Sequence, residues 1–154
     1  MSAFSCVMCC ISLSENPDDL AQYVSEIVVQ NDAKLVLVDV TVGAADIARR
    51  VGSMASLEKA FEESRRAQLV TLAAYARKHF DRECIIVQSE GRTADELLKI
   101  IDKHCADLLV IGSMSTKGIM GSMFGCGAGS IIGKTRIPVM VIPNELSLEC
   151  VPDF

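Results

Sequence analysis

With 154 residues, half of them apolar and 23% charged, the chain has the profile of one soluble globular domain that can bury a substantial core, not of a disordered segment. A formal charge of −5, 5% aromatic residues and no Trp exclude nucleic acid as the main partner, because such a surface needs a basic stripe and stacking aromatics. Seven scattered cysteines, an odd number with several inside apolar runs, fit reduced cytosolic thiols better than a disulfide framework.

No Lys or Arg precedes Lys34, so a secretory signal lacks its charged start, and no apolar run is long enough to cross a bilayer. A cytoplasmic location is expected. Residues 4–11, Phe-Ser-Cys-Val-Met-Cys-Cys-Ile, read as a short central strand. Ser14 or Asn16 can cap the following helix, with Pro17 tolerated in its first turn and Asp18 and Asp19 favourable at the dipole's positive end. Leu20, Val24, Ile27 and Val28 then fall on one helical face.

Lys34 to Val40 predicts a second buried strand, followed by a segment from Thr41 to Ser56 without a readable period. Leu57 to Phe80 predicts a long helix with Phe61, Leu69, Leu72, Ala76 and Phe80 near helical spacing. Cys84 to Val87 is a third strand. Thr93 with Glu96 forms a capping-box pattern, and Ala94, Leu97, Leu98, Ile101 and Cys105 make an apolar stripe behind it. Leu108 to Ile111 is a fourth strand, Gly127 to Lys134 a short helix, and Pro138 to Ile142 a fifth strand before a tail over about 144–154. Strands alternating with helices predict a single doubly wound five-stranded parallel sheet with helices on both faces, in the order 3-2-1-4-5. The order reverses between strands one and four, so the loops after Ile11 and Ile111 face each other across the crevice where such folds bind ligands.

Six of the ten glycines fall between Gly112 and Gly129, directly after the fourth strand. Glycine lets backbone N–H groups approach a phosphate closely, which makes this loop the expected binding element. Val110-Ile111-Gly112-Ser113, then Gly125 thirteen residues on, then Pro138-Val139-Met140-Val141-Ile142, resembles the end of a universal stress protein of the UspA type, and the resemblance extends from the first strand to Ile142. The nucleotide-binding branch of that family shows Gly-x2-Gly-x9-Gly-Ser/Thr. Gly112 and Gly125 match its first and last glycines, Ser115 stands where the second belongs, and Cys126 where the hydroxyl residue belongs. Ser12 occupies the position of the nucleoside-contacting Asp, and Val40 that of the apolar residue lining the adenine.

The resemblance implies an adenine nucleotide, ATP or AMP, held by backbone N–H groups at Ser113, Gly125, Cys126 and Gly127, with Ile111 and Ala128 beside them and Mg left open. It also implies a homodimer through the fifth strand, Val139, Met140, Val141 and Ile142, whose edge is otherwise an aggregation hazard. The departures weaken the pocket: one lost charge-assisted hydrogen bond costs roughly 1.5–3 kcal/mol, about 10- to 150-fold in affinity. A degenerate nucleotide pocket in a regulatory dimer is therefore the expected function. The alternatives are an interaction dimer of the same family that binds no nucleotide, and a thiol redox protein using Cys126 at a helix start.

Other motifs read as structural. Ala128 to Thr135 fits a loose Walker A pattern, but Pro138 and a strand follow its Lys134 where a P-loop needs a long helix. Cys6 and Cys9 have redox spacing but sit on a strand, where their side chains point to opposite faces. His79 and His104 lie near helix ends without ligand partners at metal spacing. No nucleophile, base and acid set is present, so enzymatic activity is at most weak nucleotide hydrolysis.

Overall fold

The structure, a computed structural model, describes residues 3–11, 18–41, 55–112 and 130–142. Five parallel strands form one sheet: β1 (Cys6–Cys10), β2 (Lys34–Thr41), β3 (Cys84–Glu90), β4 (Leu108–Gly112) and β5 (Val139–Ile142). Their order is β3-β2-β1-β4-β5, and every pair is parallel, as the alternation of strands and helices predicts. The central strands are covered on both sides, which is why they read as unbroken apolar runs.

Each strand divides its side chains between the two faces. Val7, Cys9, Ile11, Leu35, Leu37, Leu108 and Val110 point to one face, where α1 (Asp18–Asn31) and α2 (Ala55–His79) cover them. Cys6, Met8, Cys10, Val36, Val38, Leu109 and Ile111 point to the other, beneath α3 (Thr93–His104) and Ile131. Cys6 and Cys9 thus belong to different cores, and both are buried.

In α1, Leu20, Ala21, Val24 and Val28 are buried at helical spacing. The helix stops at Asp32, whose φ of 49° lies in the left-handed region, and the Ala33 N–H returns to the Val28 carbonyl at 3.0 Å. Asn31 holds this end to the chain's start: its Oδ1 accepts from the N–H of Ala3 at 2.9 Å and of Phe4 at 3.3 Å. Arg82 adds a clamp, pairing with Asp32 and donating to the Ala33 carbonyl.

In α2 the buried residues are Leu72, Tyr75 and Ala76, with Phe80 just beyond the helix. Leu69, expected on that face, is 42% exposed instead. It lines a cleft with Gln88 of β3, so it sits at the flank where the sheet ends. The apolar stripe is narrower than the spacing alone suggests.

The start of α3 differs from the expected capping box. Its N-cap is Arg92, without a side-chain capping bond, while Glu96 accepts from the Ser89 hydroxyl at 2.6 Å and pairs with Lys99 at 3.1 Å. A strand-end hydroxyl has taken the carboxylate that the box would use. At the other end Cys105, expected on the apolar stripe, is the C-cap with φ 53° and is exposed. The left-handed turn carries it off the helical face, and Ile100 joins Ala94, Leu97 and Ile101 in the core instead.

After β4, residues 130–134 make a tight helical turn closed by the N–H groups of Lys134 and Thr135 on the Ile131 carbonyl, at 2.9 and 3.0 Å. Ile131 is fully buried and anchors the turn, whereas Lys134 is exposed and leads within a few residues to β5, without a P-loop helix. Residues 127–129 of the expected helix lie outside the described residues.

Candidate functional site

The sheet brings four strand ends together at the point where its order reverses. Cys10 of β1 lies beside Val38 of β2 on one side and Ile111 of β4 on the other, and the Ile11 N–H continues the ladder to the Val38 carbonyl at 2.9 Å. Gly112 pairs with Ile142 at the end of β5. Val40 is half-buried and packs against the α3-side core. Ile111 is fully buried, so it can offer a ligand its main chain and not its side chain.

Gly112 is different in kind. A Cβ built there meets the Ile142 carbonyl oxygen and Leu20 Cδ2 at 3.9 Å, an ordinary contact, and its φ is not in the left-handed region. The described residues around it therefore accommodate a side chain at this position. Ser12, Ser113, Ser115, Gly125, Cys126, Gly127 and Ala128 lie outside the described residues. At the sheet's edge, Val139 and Val141 are half-buried, Met140 is 38% exposed and Ile142 is buried.

Next to these strand ends stands a polar cluster that the sequence reading did not single out. The Gly91 N–H donates to the Thr41 carbonyl at 2.9 Å, and the Thr41 hydroxyl reaches the Ser89 carbonyl at 3.4 Å. The Ser89 hydroxyl and the Lys99 ammonium hold the Glu96 carboxyl below the usual carboxylate range. On the opposite face, burial pushes the Asp39 carboxyl up, against the pull of the Arg65 guanidinium. Arg65 also pairs with Glu90 at 3.4 Å, and its backbone carbonyl accepts from Gln88 Nε2 at 2.9 Å. One signal was available: Asp39 is the only charge inside the otherwise apolar run from Leu35 to Val40. The contact between Ser89 and Glu96 crosses a strand–helix junction and leaves no periodic trace.

Among the described residues no three His, Cys, Asp or Glu side chains converge to hold a metal ion, and no helix is long and apolar enough to cross a membrane. The parallel sheet with its reversal at β1 and β4 defines a doubly wound α/β protein, a fold whose ligand crevice lies outside those two strand ends.

Within that class the chain belongs to the universal stress protein family, whose model matches residues 4–143. The fold resembles that of the universal stress protein UspA from Lactobacillus plantarum, with a TM-score of 0.68 at 15% identity, over 92% of this chain and 99% of that one. A universal stress protein crystallised in complex with cAMP gives 0.62 at 18% identity, over 94% of this chain and 100% of that one. A universal stress family protein from Arabidopsis thaliana with AMP bound gives 0.55 at 16% identity, over 92% and 93% of the two chains. Comparison with curated proteins finds no match.

Proposed function

We propose that this protein is a cytoplasmic regulatory homodimer that binds an adenine nucleotide, ATP or AMP, in a pared-down pocket between the strand ends of β1 and β4. The observation that carries the reading is Gly112: the described residues leave room for a Cβ there, so a glycine is accounted for by close approach of a ligand to the backbone. The complexes of two relatives with cAMP and AMP support the ligand class. In this reading the nucleobase lies near Val40 and Ser12, and backbone N–H groups at Ser113, Gly125, Cys126 and Gly127 hold the phosphates. The dimer forms through β5, whose outer edge and half-exposed Met140 need a cover.

Isothermal titration with ATP, ADP and AMP is the direct test. Weak binding in the sub-millimolar range is expected, since Ser12, Ser115 and Cys126 replace three polar or conformational positions of the family motif. No heat and no thermal shift at millimolar nucleotide would leave the second reading, an interaction dimer that has kept the loop and lost the ligand. Those same three substitutions favour it. Light scattering of Met140→Lys against the parent protein tests the dimer separately.

A further inference from the structure

The edge of the sheet opposite β5 is open among the described strands. β3 has β2 as its neighbour on one side and none on the other among the described strands, while its seven residues keep an unbroken register with β2. It contains no Pro, Lys or bulge, the usual guards of a free edge, and its one charge is the terminal Glu90. Two of the six exposed large apolar side chains among the described residues flank this one edge: Ile85 on the strand, at 44%, and Leu69 on α2, at 42%, while Val70, next to Leu69 in the helix, is 68% exposed.

The cover that fits is a second copy of this chain. Leu69 lines a 270 Å³ cleft with Gln88, whereas Ala73 and Arg77 line a 370 Å³ cleft with Cys84 and Ile86. The latter half of α2 therefore runs alongside β3 in the opposite direction, with residues 69–73 level with Val87. A two-fold axis at Val87 adds β3 to β3 antiparallel and sets the two α2 flanks against each other, also antiparallel. Leu69 of each copy then faces Val70 of the other, and Glu62 of each lies level with Arg77 of the other.

Charge supports this self-pairing. Helix α2 carries Glu58 in its first turn and Arg77, Lys78 and His79 in its last, so antiparallel pairing opposes unlike charges and unlike dipole ends. We infer that the β3 edge, flanked by Leu69 and Arg77 of α2, is an antiparallel interface with a second copy of this chain, independent of the β5 edge. Because β3 and β5 lie at opposite edges, using both extends dimers into an open series of even-numbered assemblies.

Sedimentation velocity over a concentration series, in full-length protein carrying Met140→Lys to block β5, tests this apart from the β5 dimer. A concentration-dependent dimer is expected to remain. Val70→Asp, at an exposed site, should leave the circular dichroism spectrum unchanged and weaken the dimer about tenfold or more. Glu62→Arg and Arg77→Glu should each weaken it, and the double exchange should restore it. In parental protein, hydrogen exchange at residues 85–89 should slow as concentration rises. A Met140→Lys protein that stays monomeric at every soluble concentration, or a double exchange that fails to rescue, overturns the inference.

Discussion

Ser89, near the end of β3, donates its hydroxyl to Glu96 Oε2 at 2.6 Å, one turn into α3, across a turn formed by Gly91. Gly91 has φ 143°, and a Cβ there would lie 3.0 Å from Glu96 Oε1. Gly91→Ala therefore strains the backbone and pushes on the carboxylate that fixes the turn. A loss of about 1–3 kcal/mol is expected in urea unfolding. Ser89→Ala should cost about 1 kcal/mol at pH 7. The Glu96 carboxyl is held low in the folded state, so its contribution is present above the unfolded carboxylate range and fades as pH falls through the folded value. The difference between Ser89→Ala and the parent protein should shrink in acid, and a gap that stays constant to pH 2 would falsify the assignment.

Asp39 runs the other way. Burial raises its carboxyl, with Arg65 opposing, so the folded state holds this proton more tightly than the unfolded chain does. Its stabilising share is full below the unfolded carboxylate range and disappears as pH rises through the folded value. Asp39→Asn should accordingly stabilise the protein at pH 7 by about 0.5–1 kcal/mol, with the gain vanishing in acid. Arg65→Ala should raise the Asp39 carboxyl further, which carboxyl-carbon NMR titration reads directly.

Asp107 links the same logic to the cysteines. Its carboxylate accepts from the N–H groups of Ser5 at 2.7 Å and Cys6 at 3.1 Å, where β1 begins beside β4. Burial, and then the Asp107 charge, push the Cys6 thiol up. Asp107→Asn should lower that thiol while costing about 1–3 kcal/mol of stability. In native protein, Cys105 should alkylate ahead of Cys84, whose thiol burial raises, and Cys6, Cys9 and Cys10 should react only on unfolding. Mass spectrometry after limiting iodoacetamide gives the order and also ranks Cys126, expected from its place in the sequence to be the most reactive.

What the sequence disclosed follows from how each contact is encoded. β1, β2 and β4 are buried on both faces and announce themselves as apolar runs, and the sheet order follows from alternation with the helices. Cys105 and Thr93 were misplaced because helix ends depend on local dihedral angles and on which neighbour captures Glu96, neither of which has a period. Leu69 was misplaced because helical spacing marks a face without telling where the sheet beneath it stops. At the candidate site, Val40, Ile111 and Gly112 came from a motif match. Asp39 went unremarked because a single charge in a strand carries no direction until the covering helix is known.

Gly112 separates fold from function most cleanly. Among the described residues a Cβ meets nothing nearer than 3.9 Å, so Gly112→Ala removes unfolded-state freedom without strain against them. Unlike Gly91→Ala, it should leave stability unchanged or raise it by about 0.4–1 kcal/mol. If the backbone here meets a nucleotide, the same methyl group blocks that approach and affinity should drop measurably in isothermal titration. Ser12→Asp, Ser115→Gly and Cys126→Ser together act in the opposite sense. The first adds a charge-assisted hydrogen bond worth roughly 1.5–3 kcal/mol, so the triple variant should bind at least about tenfold more tightly. A Gly112→Ala protein that is both as stable and as competent for nucleotide as its parent would remove the reason for placing the ligand at this strand end.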